Sequence, residues 1–254
     1  MKRILFTALL SFGIAWAQPK ERKLVWQEEF DGVALNEKEW NFELGDGCPN
    51  ICGWGNNEKQ IYTKDNHSLK NGNLVINVLK NGNDSYTSTR ITTAGKKEFQ
   101  YGRMEVRAKI PTGKGIWPAF WMLGSNIKKV GWPKCGEIDI LEYVGREPHQ
   151  IFTSLHTQDS HGNTINTKKT QIGNIEEGFH LYAIDWTKDK IEFFVDNQSV
   201  YTFNPNKKDE NVWPFNQPFY FIINVAVGGN FGGHDVDNEI FPQEFLIDYI
   251  RVYQ

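Results

Sequence analysis

The sequence predicts an all-β protein, a β-sandwich of jelly-roll type built from two packed antiparallel sheets. Three observations carry that expectation. β-Branched and aromatic residues alternate with polar ones in short runs from Lys23 onward, clusters of Gly, Pro, Asn and Asp separate the runs, and no long amphipathic helical period interrupts them. With 254 residues, 39% hydrophobic and 14% aromatic, the chain can fill one core of this kind, and no repeat or linker divides it.

At the start, Lys2-Arg3 precedes an apolar run from Ile4 to Trp16 that closes on Ala15-Trp16-Ala17. This is the pattern of a signal peptide over residues 1–17, followed by a single mature domain over residues 18–254. A membrane anchor needs about 20 consecutive apolar residues, whereas this run stops at Gln18-Pro19-Lys20. The expected localisation is therefore exported, periplasmic or extracellular, with no membrane anchor after cleavage.

A short helix is expected around Asn36-Glu37-Lys38-Glu39-Trp40. Cys48 and Cys52 share one Gly/Pro/Asn loop, where they either bridge after export or stay free, and Cys135 is left as a packed thiol. Strands are expected over Asn73 to Val78, Glu105 to Ile110, His180 to Trp186, Ile191 to Asp196, Phe219 to Ala226 and Phe245 to Tyr253. The Phe219 run is apolar at nearly every position and is expected to be covered on both faces.

Charge narrows the function classes. The formal net charge is -3 and no run of Lys or Arg exceeds two residues, which argues against nucleic acid or an anionic membrane as partner. Cysteine and histidine spacings of a zinc site are absent. The acidic stretch His234 to Glu239 lacks the glycine and terminal glutamate of a calcium-binding helix-loop-helix and reads as a polar loop.

One segment carries chemistry: Gly136-Glu137-Ile138-Asp139-Ile140-Leu141-Glu142-Tyr143. Side chains two apart on a strand share a face, so Glu137 and Asp139 align while Glu142 points away, unless a β-bulge inserts one residue and returns it. Ile138, Ile140 and Leu141 make this a core strand rather than a solvated acidic one. Like charges crowded on such a strand raise at least one pKa, as a general acid near neutral pH requires. Glycoside hydrolysis with retention uses such a pair, a nucleophilic carboxylate and an acid/base carboxyl about 5 to 5.5 Å apart. Trp117 and Trp121 flank Pro118; their rings suit either sugar stacking or core packing. Asn56, Asn57, Glu58 and Arg90 offer hydrogen bonds to hydroxyls.

Glu137-Ile138-Asp139-Ile140-Leu141-Glu142 resembles the catalytic signature of glycoside hydrolase family 16 in its bulged form. Trp54 to Glu58, Thr87 to Ile91, Pro111 to Leu123, Asn224 to Asn230 and Asp248 to Tyr253 are similar to its laminarinase branch, so the likeness spans nearly the whole mature chain. The resemblance implies a jelly roll with a sugar cleft on its concave face and retaining endo-hydrolysis of β-1,3-glucan through a covalent intermediate. It implies Glu137 as nucleophile, Asp139 as its supporting carboxylate and Glu142 as acid/base, with Trp117, Trp121, Asn57, Arg90 and His156 binding substrate. It further implies a structural calcium ion at Glu29, Gly72 and Asp248, no cofactor for catalysis, and a monomer with a β-glucan polysaccharide as partner. Three other readings share the fold: a mixed-linkage β-1,3-1,4-glucanase, an enzyme cutting a galactan such as agarose or carrageenan, and a non-catalytic glucan-binding protein, against which retention of all three acids speaks.

Overall fold

The computed structural model describes residues 22–82 and 84–254; the expected signal peptide lies outside the described residues. In chain order the strands are β1 (Leu24–Glu28), β2 (Asn41–Phe42), β3 (Gln60–Tyr62), β4 (His67–Lys70), β5 (Asn73–Lys80), β6 (Tyr86–Ser88), β7 (Arg90–Thr92), β8 (Glu98–Phe99), β9 (Gly102–Lys109), β10 (Ile116–Gly124), β11 (Glu137–Glu142), β12 (Gln150–His156), β13 (Thr167–Gln171), β14 (His180–Trp186), β15 (Ile191–Val195), β16 (Gln198–Phe203), β17 (Phe219–Val227) and β18 (Gln243–Tyr253). Among the described residues, α-helix is confined to the single turns α1 (Ile127–Val130) and α2 (Gly229–Gly232).

Two sheets result. A ten-stranded sheet runs β16-β15-β14-β9-β18-β5-β6-β3, with β1 on β18 and β4 on β5; an eight-stranded sheet runs β13-β12-β11-β10-β17-β7-β2, with β8 on β17. Pairing is antiparallel except between β3 and β6. The sandwich expected from the alternating runs is therefore present.

Period-two patterning puts the core between the sheets. Met104, Val106 and Ala108 of β9 and Tyr182, Ile184 and Trp186 of β14 meet Phe120 and Met122 of β10 and Phe221, Ile223 and Val225 of β17 in one buried cluster. Phe221 stacks on Phe120 at 5.1 Å and on Trp26 at 5.9 Å between ring centroids. Each such ring contributes roughly 2–3 kcal/mol by leaving water. The other face of β17 is also covered, where Tyr220 and Ile222 pack with Leu123 and Cys135. That second cover explains why the Phe219 run carries almost no polar residue.

The expected helix at residues 36–40 is corrected to one turn. The amides of Glu39 and Trp40 both reach the Asn36 carbonyl, and the chain then extends into β2 because the Trp40 ring is drawn into the core, its indole N–H on Glu28. Cys48 and Cys52 are disulfide-bonded. Cys135 is free and buried, and burial first, then the Glu137 charge, pushes its thiol up to about 12. It is a packing residue, not a reactive one.

Candidate active site

Strand β11 starts directly after Gly136, which has φ +78° and where a Cβ would lie 2.8 Å from the Pro214 ring. Only glycine meets both conditions. Along β10, Glu137, Asp139 and Glu142 stand opposite Leu123, Trp121 and Ala119; along β12 they stand opposite His156, Ser154 and Phe152. Both partner series step by two. The three acids therefore share the outer face of the eight-stranded sheet, although Glu142 follows Asp139 at odd spacing. Ile140 has no partner on β10, and the register breaks between Asp139 and Glu142 on β12. This is the bulge that the spacing required.

The acids sit in unequal surroundings. Asp139 is 2% exposed, and burial, reinforced by the Glu137 carboxylate and a hydrogen bond with it, holds its carboxyl well above the usual carboxylate range. This environment favours the neutral form of Asp139 beside the Glu137 carboxylate. Burial also raises Glu142, which is 8% exposed; Asp139 and Glu137 add to the rise, while His156 and the Trp117 indole oppose it. His156 Nε2 lies 3.2 Å from Asp139 Oδ2 and 4.0 Å from Glu137 Oε1. The 3.2 Å contact lacks hydrogen-bond alignment, so that oxygen has no hydrogen-bond partner among the described residues.

The other residues expected at the site mostly converge on it. Trp117 Nε1 donates to Glu142 Oε1 at 3.1 Å, and Trp121 Nε1 donates to Asn224 Oδ1 at 2.8 Å. The Arg90 guanidinium is ion-paired with Glu43 and lies between two indoles, 4.4 Å from the Trp54 ring centroid and 5.0 Å from that of Trp121. Tyr62 ties the floor together, accepting from Asn224 at 2.9 Å and donating to Glu58 at 3.2 Å. Burial raises Glu58 above its ordinary range even with Arg90 nearby. Asn57 is the outlier: it is exposed, has φ +57°, and turns its amide to Asn230 at 2.9 Å.

Sequence reasoning missed Trp132, which is 46% exposed and donates to Glu137 Oε2 at 2.6 Å. Its ring also meets His156 and His161. Glu43 and Ser154 were missed as well, and Trp54 and Asn224, although inside segments that carry the resemblance, were given no role. The only signal for Trp132 was its position five residues before Glu137 in a Gly-Trp-Pro turn.

Glu29, Gly72 and Asp248 lie on the other sheet. Ile247 pairs with Leu74 and Glu28 with Ile250, which brings the three positions to one place, and the β18 register against β9 breaks at Asp248. Both Glu29 carboxylate oxygens accept from Arg251, and Asp248 Oδ2 accepts from Arg107. Among the described residues no hydrogen bond ends on Asp248 Oδ1 or on the Glu29 and Gly72 carbonyls. Those three oxygens fit a hard cation by chemistry.

The comparisons agree with this geometry. A family model described as "Glycosyl hydrolases family 16" matches residues 55–250. The chain is 73% identical to a laminarinase from Flavobacterium sp. UMI-01, covering 91% of this chain and 100% of that one at a TM-score of 0.90. It is 42% identical to the laminarinase catalytic domain of Thermotoga maritima, covering 92% and 99% at a TM-score of 0.87. A curated relative, the β-glucanase of Rhodothermus marinus, is 39% identical over 250 residues, 91% of this chain and 85% of the relative. With sequence and fold shared across nine-tenths of its length, the chain belongs to family 16 of the glycosyl hydrolases.

Proposed function

We propose that the protein hydrolyses β-1,3-glucan internally, as a retaining laminarinase. The observation that carries this reading is the bulge in β11, which turns Glu142 to the face of Glu137 and Asp139. The names of the similar enzymes support the substrate class.

Glu137 attacks the anomeric carbon while Glu142, kept protonated by burial, gives its proton to the departing glycosidic oxygen. Asp139 holds the shared proton toward Glu137 in the resting enzyme and so lets two carboxyls sit side by side on a buried strand. The covalent glycosyl-enzyme then yields to water, which Glu142, now a carboxylate, deprotonates. Trp121, Trp54 and Arg90 offer two indole faces and a guanidinium to sugars beyond the cleavage point, with Asn57 at the rim.

Calcium would be held by the Glu29 and Gly72 carbonyls and Asp248 Oδ1, where it would tie β1, the turn before β5 and β18 together without entering the chemistry. The enzyme acts after export, as a monomer; among the described residues no helix is long and apolar enough to cross a membrane.

Reducing-sugar release from laminarin, measured beside lichenan, curdlan and agarose, tests the reading. Release from laminarin and curdlan should lead. Binding without release would identify a glucan-binding protein instead, and preferred release from lichenan a mixed-linkage enzyme.

A further inference from the structure

Ser154 on β12 is 3% exposed and stands directly opposite Asp139 on one side and Thr167 of β13 on the other. Thr167 Oγ1 donates to Ser154 Oγ at 3.0 Å, and Ser154 Oγ in turn points its donor at Glu142 Oε2, 3.5 Å away. The second contact is long, as catalytic hydrogen bonds in free enzymes often are before substrate tightens them. Glu142 Oε1 is already taken by the Trp117 N–H, which can only donate. A donor on Oε1 favours the catalytic proton on Oε2, the oxygen beside Ser154, whose hydroxyl can also accept.

We propose that Ser154 and Thr167 form a reversible hydroxyl pair that positions Glu142 in both of its protonation states. Resting on the acid/base role given to Glu142 above, it adds a division of labour between the two carboxyl oxygens. A hydroxyl is both donor and acceptor. When Glu142 is a carboxylate, Thr167 donates to Ser154 and Ser154 to Oε2. When Oε2 carries the proton, both hydroxyls rotate and Ser154 accepts from it. Trp117 cannot reverse in this way, so it fixes the carboxyl plane while the hydroxyls follow the proton. Neither hydroxyl touches substrate: Ser154 contacts the Glu142 carboxyl itself, and Thr167 is a positioning residue that acts through Ser154.

The titratable groups around Glu142 are Glu137 and Asp139 on its own strand and His156 on β12. Beyond Phe152 stand Lys169 of β13 with its partner Glu147, and Arg146 over Phe231. Substituting a neutral hydroxyl leaves all of them in place.

The test is the pH profile of kcat/KM on laminarin for Ser154→Ala, Thr167→Val and Thr167→Ser. Ser154 partners both forms, but its hydrogen bond to the carboxylate is worth more than the one it accepts from the neutral acid, so its loss disfavours the charged form and the basic limb should move up in Ser154→Ala by about half to one pH unit. Its kcat should fall by roughly ten- to a hundredfold with KM within about twofold. Thr167→Val is isosteric at a partly buried site, so it tests the pair even if Ser154→Ala fails to fold; it should show a smaller shift in the same direction, and Thr167→Ser should return to wild type. A basic limb left at its wild-type position in Thr167→Val, or a Thr167→Ser enzyme that behaves like Thr167→Val, overturns the pair. The role of Glu142 is tested separately: Glu142→Ala should lose the basic limb, and on an aryl laminari-oligoside, whose phenolate departs without a proton, azide should restore turnover by attacking the glycosyl-enzyme to give a β-glycosyl azide. A Glu142→Ala enzyme that kept its basic limb would remove the acid/base reading, and the pair with it.

Discussion

The Trp132 indole donates to Glu137 Oε2 at 2.6 Å, while nearly half of its surface remains open to solvent. One side chain thus orients the proposed nucleophile and presents a flat face beside it. The two roles separate by substitution. Trp132→Phe keeps an aromatic face and loses the donor, and should lower kcat by about tenfold, the worth of one hydrogen bond to a charged group. Trp132→Ala loses both and should raise KM as well. Steady-state kinetics on laminarin distinguishes the two; equal KM in both variants would show that the face holds no sugar.

Arg90 is fixed on three sides, by Glu43 and the Trp54 and Trp121 rings. Lysine keeps the charge but not the planar fork or the stacking. Arg90→Lys should therefore raise KM for long glucans by roughly tenfold, about 1.4 kcal/mol of lost binding, with kcat much less affected. Oligosaccharide binding by calorimetry checks this without turnover.

Burial of the acids has a cost in stability that depends on pH. The folded-state pKa of Glu142 is raised above its unfolded value, so between those two values the folded chain binds more protons and stability falls as pH rises. Below the unfolded value the contribution is fully present; above the folded value it is gone. Glu142→Gln removes the titration. Its Tm should match wild type in acid and exceed it by roughly 2–4 °C at mildly alkaline pH, about 1 kcal/mol. Thermal melts across pH read this directly, and a parallel offset at every pH would point to packing instead.

The calcium reading predicts a metal-dependent Tm. Chelation should lower the Tm of wild type and added calcium should restore it, because a ligand bound only by the folded state stabilises by mass action. Asp248→Asn should abolish the response while leaving activity at low temperature intact. A chelator-insensitive melt excludes a resident ion.

Much of this was legible in the residues. Turn residues and period-two runs located β5, β9, β14, β15, β17 and β18, because their inner faces fill one core and tolerate no other register; β10 escaped, since Trp117 and Trp121 around Pro118 read as too irregular for a plain strand, whereas Ile116–Gly124 pairs with β11 and β17. The two residues between Asp139 and Glu142 announced the bulge, since no regular strand puts both on one face. What escaped notice was brought in by topology: Asn224 meets Trp121 and Tyr62 across 103 and 162 residues of chain, and Glu43 reaches Arg90 across 47. No local period records such contacts. The Asn36 segment misled for the opposite reason, because its helical composition is overruled after one turn by burial of Trp40.

The stereochemical outcome of a single cleavage tests the central claim most directly. Proton NMR of laminari-oligosaccharide hydrolysis, recorded before mutarotation, should show the β-anomer of the new reducing end appearing first, as two displacements across Glu137 and Glu142 require. Initial appearance of the α-anomer would contradict it, since inversion needs a wider carboxyl pair with water between them.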